Sequence, residues 1–267
     1  MQSILVGVEY TAGDLAKPET FKKALEKVDM VFHLASSVVP KSSNDDVIAD
    51  VSVNLIGSLH LLEQARLAGI KKLIFVSSGG AVYGIPESLP IAETHPTQPL
   101  SSYGIVKLAI EKYLYLYQRL YGLDYCVLRV SNVYGNMAPA NRDFGAIDNF
   151  VQKAKNNESI EIWGDGSIIR DYIHVDDVVE ALLLVMTYSG PEKIFNIGSG
   201  TGVSLNELIT LIEAELNQKV SVNYLSGRSV DVPANILDIS LVQKTLRWTP
   251  KIKLKQGIRF LLDRGYV

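Results

Sequence analysis

The chain has 267 residues, 47% of them hydrophobic, and a formal net charge of -3 at pH 7. That length and apolar content allow a sizeable core in one large domain or two small ones. The mild acidity, with an isoelectric point near 5.9, argues against a nucleic-acid or polybasic membrane partner and leaves a small molecule, with a local basic patch for any phosphates. One cysteine, Cys126, permits no intramolecular disulfide, and inside the strand-like Tyr125-Cys-Val-Leu128 it reads as a core thiol in a reducing cytoplasm. No run approaches the ~18 apolar residues of a membrane span, and the first residues lack a charged region followed by an apolar core, so the reading is a soluble, unexported protein. The four histidines, His33, His60, His95 and His174, are scattered without metal-ligand spacing, and no metal is expected.

Strands and helices alternate along the chain, the signature of an α/β fold with a parallel sheet covered on both faces. Asp29–Ala35 reads as a strand and about Asp46–Ala68 as the helix after it. Leu73–Val76 is a short apolar run typical of a buried parallel strand, and it empties into Ser77-Ser78-Gly79-Gly80 and then Val82-Tyr83-Gly84. The next helix is announced by Pro99 and Ser101-Ser102, carried by Ile105, Leu108, Ala109 and Leu116 at helical spacing, and ended by Gly122. Tyr125–Arg129 is a further strand. After Asn132 the pattern loosens into Gly-, Asn- and Pro-containing loops broken by an Ile147–Asn156 helix, which suits a small lobe set against the sheet. Asp177–Thr187 and Leu205–Leu216 are helices. Val220–Tyr224 and Ser240–Leu246 are assigned to the smaller lobe.

One pair carries chemistry. Tyr103 and Lys107 stand at i and i+4 where the third helix begins, so their side chains share a face. A phenol titrates near ~10 in water, and an ammonium that favours the phenolate lets it exchange protons at neutral pH. Taken alone, the pair also describes an amphipathic helix with an ordinary surface lysine.

The surroundings are more specific. A buried strand ending in Ser77-Ser78, then Tyr83-Gly84, then Tyr103-x-x-x-Lys107 resembles the extended short-chain dehydrogenase/reductases. Leu128-Arg-Val-Ser-Asn-Val-Tyr-Gly135, Arg170-Asp-Tyr-Ile-His-Val-Asp-Asp177 and Phe195-Asn-Ile-Gly-Ser-Gly200 resemble, in the same order, the NAD-dependent epimerase/dehydratase branch, nearest to UDP-glucose 4-epimerase-like nucleotide-sugar epimerases. The resemblance implies a Rossmann-like doubly wound parallel sheet with a smaller C-terminal substrate-binding lobe. Residues 1–135 would form the dinucleotide-binding domain and residues 136–267 mainly the substrate lobe, with about 172–200 returning to the nucleotide domain.

The resemblance also implies roles. Tyr103 would be the catalytic base, and Lys107 would bind the nicotinamide ribose of NAD and lower the tyrosine pKa. Asp14 and Leu15 match the adenine side, Leu34, Ala35 and Ser36 the backbone beside the cofactor, and Asn54 and Ser77 the nicotinamide end. Read plainly, Asp14 caps a turn and Leu34-Ala35 is apolar strand. Asn132, Arg170, Arg228 and Asp231 fall where the family holds UDP, and two guanidinium forks facing a diphosphate are sound chemistry. The plain reading of Arg170 is an ion pair with Asp171 or Asp176. Ala146-Ile147 and Glu161-Ile162-Trp163 match segments around the uridine. Asn235 matches the position limiting the C2 substituent, and its small amide leads us to expect a UDP-N-acetylhexosamine to bind at least as well as a UDP-hexose. The implied reaction is epimerisation of a UDP-sugar at C4 through a transient 4-keto intermediate, in a homodimer paired through the 46–68 and 101–121 helices.

Two departures bear on activity. The family begins with a strand, a glycine-rich loop and a helix whose amides receive the pyrophosphate. Here Met1–Val6 has the character of that strand, but Gly7–Asp14 already resembles the third strand and its adenine-side loop. A βαβ unit of roughly 30 residues is therefore missing from the sequence, and weakened NAD binding is expected. Gly198-Ser-Gly-Thr-Gly202 matches the substrate region and does not replace it. Second, the family's catalytic Ser or Thr falls at Gly79, and the alternative position is Ala81. Ser78 or a water is left to fill the role, and Gly79→Ser is expected to raise activity. No acid follows in Gly80-Ala81, which disfavours dehydration. Two other readings remain: a nucleotide-sugar reductase or dehydrogenase, and a catalytically impaired UDP-sugar-binding relative or subunit of an assembly.

Overall fold

The computed structural model describes residues 7–37, 43–135, 145–227 and 232–263. It forms two compact units, Met1–Phe75 with Ser101–Tyr125 and Val76–Leu100 with Cys126–Val267.

In the first unit, β1 (Met30–His33) leads to α1 (Val47–Asp50), which Asp46 caps by accepting from the Ala49 N–H. The helix continues as a π-wound stretch, Val51–Ile56, and then α2 (Gly57–Leu67), so the single helix expected over 46–68 is one run with a widened middle. Gly57 permits a close approach: a Cβ there would stand 2.8 Å from the Leu15 side chain and 2.9 Å from its carbonyl oxygen. β2 (Lys72–Ser78) pairs parallel with β1, Met30 opposite Lys72 and His33 opposite Phe75. α3 (Ser102–Tyr121) opens on Ser101, whose hydroxyl accepts from Gly104 N–H, and ends at Gly122 with φ +72. That left-handed turn is why glycine stops the helix. Val106, Ile110 and Leu114 form the buried stripe of α3, which packs against the π stretch and α2. β3 (Asp124–Val130) follows.

β2 and β3 run through both units. Asp124 N–H bonds Lys71 O in the first, and Gly79 N–H bonds Val130 O in the second. The second unit then adds β4 (Asn132–Tyr134), α4 (Ala146–Lys155), β5 (Ile160–Trp163), β6 (Ile169–His174), α5 (Val175–Thr187), β7 (Ile194–Ile197), β8 (Gly202–Ser204), α6 (Leu205–Leu216), β9 (Val222–Leu225), β10 (Ala234–Asn235), α7 (Ser240–Leu246) and α8 (Leu254–Asp263). The main sheet has the order β1-β2-β3-β7, with β3 and β7 parallel. A second sheet runs β10-β6-β4, with β8 antiparallel on β6, and β5 pairs with β9. Parallel strands interleaved with helices make this an α/β, Rossmann-like fold. α4, α6 and α8 pack on one another around Ile147, Val151, Leu208, Ile212 and Ile258. α7, which the sequence reading put in the smaller lobe, packs against β7 of the main sheet. Among the described residues no helix is long and apolar enough to cross a membrane, and no group of three or more metal-ligating side chains gathers.

Candidate functional site

In the first unit the site is built around α3. Tyr103 is half-buried and Lys107, one turn later, is only 5% exposed. The Lys107 ammonium lies 4.8 Å from the Phe75 ring centroid and 5.6 Å from that of Tyr103. Burial pushes its pKa down to about 8, against the pull of the Asp50 and Glu111 carboxylates. His33 is pushed down to about 4, first by burial and then by the Lys107 charge, so it is neutral, and its Nε2 lies 2.7 Å from Ser58 Oγ.

Asn54 turns out to be occupied by the protein itself. Its Oδ1 accepts from the backbone N–H of Ser37 at 2.9 Å and from the Ser37 hydroxyl at 3.1 Å, while its Nδ2 donates to Asp50 Oδ1 at 2.8 Å. The residue therefore holds the loop leaving β1. Leu34, Ala35 and Ser36 lie in that loop and are exposed, Leu34 by 56%. Asp14 makes the local turn that its plain reading predicts: Oδ1 accepts from Ala16 N–H at 3.0 Å, and Lys17 N–H bonds its carbonyl. Leu15 packs on Gly57.

In the second unit, residues singled out from the sequence converge, Ala146 among them. Asn132, Ile147 and Arg170 line one cavity of about 270 Å³. Tyr134, Tyr172 and Leu205 line it too, and sequence reasoning missed them. The signal was available, because side chains two apart on a strand share a face: Arg170 and Tyr172 alternate on β6, Asn132 and Tyr134 on β4, and Asn132 stands opposite Tyr172 in the ladder. Burial pushes the Tyr172 phenol up to about 12, opposed by Arg170, so it stays a hydroxyl donor. Arg170 does not pair with Asp171. Its Nη1 donates to the carbonyls of Ile169 and Val232, at 2.9 and 2.6 Å. Asp171 is fully buried and instead accepts from Ser199, Gly200, Leu237 and Ser131, tying β6 to the loops after β7 and β10. Trp163, 42% exposed on β5, is not among the residues around the cavity. Arg228 and Asp231 lie outside the described residues.

The turn after β2 departs from expectation. Ser77 is buried, Ser78 is half-buried, and the Ser78 carbonyl accepts from Ala81 and Val82 N–H. At Gly79 an added Cβ would stand 2.6 and 3.0 Å from the two methyls of Leu237 and 3.1 Å from Arg129 O. Leu237 has no exposed surface and so little freedom to retreat. Asn235 Nδ2 donates to the Gly79 carbonyl at 3.1 Å, while its Oδ1 is buried and has no partner among the described residues. A side chain at position 79 therefore requires the Leu237 methyls to shift.

Residues 3–198 match the NAD dependent epimerase/dehydratase family. The chain is 38% identical over 256 residues to a putative UDP-glucose 4-epimerase of Methanocaldococcus jannaschii, covering 96% of this chain and 83% of that relative. A UDP-glucose 4-epimerase from Thermotoga maritima, solved with UDP-glucose, superposes with a TM-score of 0.90 at 37% identity, over 94% of this chain and 82% of that one. The Thermus thermophilus UDP-glucose 4-epimerase in complex with NAD gives a TM-score of 0.90 at 32% identity, over 97% and 85%. With the Tyr103-Lys107 pair on α3 and the cavity lined by β4, β6 and the start of α4, these likenesses establish that the chain belongs to the NAD-dependent epimerase/dehydratase family.

Proposed function

We propose that this chain epimerises a UDP-sugar at C4. The observation that carries the reading is the Tyr103-Lys107 pair, with the ammonium held out of water beside the phenol ring. A buried cation favours the phenolate more strongly than a solvated one, because the charges are less screened. Tyr103 then removes the O4 proton and returns it to the 4-keto sugar, and Ser78 is the hydroxyl we assign to O4 in place of Gly79. When bound, NAD supplies the acceptor and donor of the C4 hydride. Arg170 and Asn132 hold the diphosphate and Tyr172 donates to it, while Ile147 packs on the uridine. Residues 1–135 serve the dinucleotide and 136–267 mainly the sugar nucleotide.

The chain fits that cofactor at its two ends. Lys107 and Tyr103 suit the nicotinamide ribose, Ser77 and the Asn54-held loop of Leu34, Ala35 and Ser36 the adjoining stretch, and Asp14 and Leu15 the adenine. For the pyrophosphate, no described residue forms a glycine-rich turn at a helix N-terminus. We therefore expect this 267-residue chain to carry little nicotinamide when purified, and added NAD to raise its melting temperature only slightly, since stabilisation scales with concentration over Kd. Stoichiometric NAD, found by mass spectrometry after denaturation, would overturn that expectation.

Asn235 informs the sugar. One of its amide N–H groups donates to Gly79 and its Oδ1 has no partner among the described residues, and an unmet buried acceptor costs roughly 1–3 kcal/mol. The N–H of an N-acetyl group at C2 supplies the missing donor. Calorimetry and a 4-epimerisation assay with UDP-glucose and UDP-N-acetylglucosamine test both readings: turnover without net NAD(P)H change supports an epimerase, and exclusion of the N-acetyl sugar removes the role of Asn235. The filled space at Gly79 favours one alternative, a UDP-sugar-binding relative with impaired catalysis, which would bind in calorimetry and not turn over.

We also assign a homodimer. Ile56 and Leu67 on one helical run and Ile105, Leu116 and Leu120 on α3 are exposed apolar residues, each at least 42% accessible, and pairing them with a second copy builds an intersubunit four-helix bundle. Sedimentation at micromolar concentration reads this directly, and a monomer there counts against it.

A further inference from the structure

The first unit buries a carboxylate that none of these roles uses. Asp50 closes α1 just where the winding changes to π, and it has no exposed surface. Its Oδ1 accepts from Asn54 Nδ2, but its Oδ2 has no partner among the described residues. π-wound insertions recur at functional sites because they turn a side chain off the regular helical track. Both α1 and the π stretch pack against α3, the helix on which Tyr103, Lys107 and Glu111 follow at i, i+4 and i+8 on one face.

We propose that Asp50 is a positioning residue, the buried counter-charge that keeps the Lys107 ammonium beside Tyr103. An ammonium withdrawn from water tends to discharge unless a negative group faces it. The Phe75 and Tyr103 rings lie 4.8 and 5.6 Å from the Lys107 ammonium, the charges of Asp50 on α1 and Glu111 on α3 favour its protonated form against burial, and His33 on β1 is neutral. Through Asn54, the same carboxylate also braces the β1 exit loop at Ser37, so one residue couples the charge of the acid/base pair to the loop assigned to the cofactor.

The inference rests on Lys107 serving Tyr103, and its decisive test does not need turnover. Asp50→Asn keeps an Oδ1 that can accept from Asn54 and removes only the charge. NMR titration of 13Cε-labelled lysine should show the Lys107 pKa falling by about one unit or more in the variant. In the 4-epimerisation assay the alkaline limb of kcat/KM should move down by the same amount, with KM for the UDP-sugar unchanged. An unaltered Lys107 titration overturns the proposal, whether or not the chain proves to be an epimerase. Should Asp50→Asn fail to fold, the parent protein decides: the Asp50 carboxyl 13C resonance should shift as Lys107 titrates near pH 8, and a resonance blind to that event overturns the proposal equally.

Discussion

Tyr103→Phe is expected to lower 4-epimerisation of a UDP-sugar by about 10²–10⁴-fold, the usual contribution of one well-placed acid/base group, while leaving UDP-sugar binding intact. The substitution deletes one oxygen from a half-buried side chain on α3 and keeps the ring that faces the Lys107 ammonium at 5.6 Å. Helix, packing and cation–π contact therefore survive. Arg170, Asn132 and Tyr172, to which we assign the diphosphate, belong to the other compact unit and are untouched. Coupled loss of kcat and kcat/KM with an unchanged calorimetric Kd is the pattern of a group acting only in the transition state. An unchanged rate would remove Tyr103 from the reaction and with it the proposed mechanism.

Gly79→Ser is expected to weaken the fold by about 1–3 kcal/mol, the range for adding atoms to a packed interior, and to bring no gain in rate. Family resemblance alone suggested the opposite, since the position matches a catalytic hydroxyl. The new Cβ would stand 2.6 and 3.0 Å from the Leu237 methyls and 3.1 Å from the Arg129 carbonyl oxygen. Leu237 is fully buried, so its methyls have little room to retreat in a close-packed interior. Gly79→Ala supplies the control, because it carries the clash without the hydroxyl. Equal losses of melting temperature in both variants, and an epimerase rate no higher than the parent's, are the expected results. A faster Ser variant of undiminished stability would show that Leu237 yields easily and that the hydroxyl is what the site lacks.

The sequence by itself determined the features that depend on near neighbours along the chain. Alternating strand and helix patterns established the α/β class, and Ser101 and Gly122 marked the ends of α3 because a cap and a left-handed turn are local events. Helical spacing placed Tyr103 and Lys107 on one face, and the motif around Arg170 led to the cavity that it shares with Asn132 and Ile147. Tertiary structure alone decided what depends on distant residues. Asn235 bonds Gly79 across 156 positions, and no periodicity reports that Leu237 fills the space beside it. Nor does spacing reveal that Lys107 is buried: its pKa near 8 follows from desolvation, a property of everything packed around the ammonium. Asn54 and Asp14 show the same limit from the other side, since their polar groups matched cofactor positions in sequence and were found engaged in holding a loop and a turn. A side chain's type states what bonds it can make, and only the folded chain decides which of them the protein has already used.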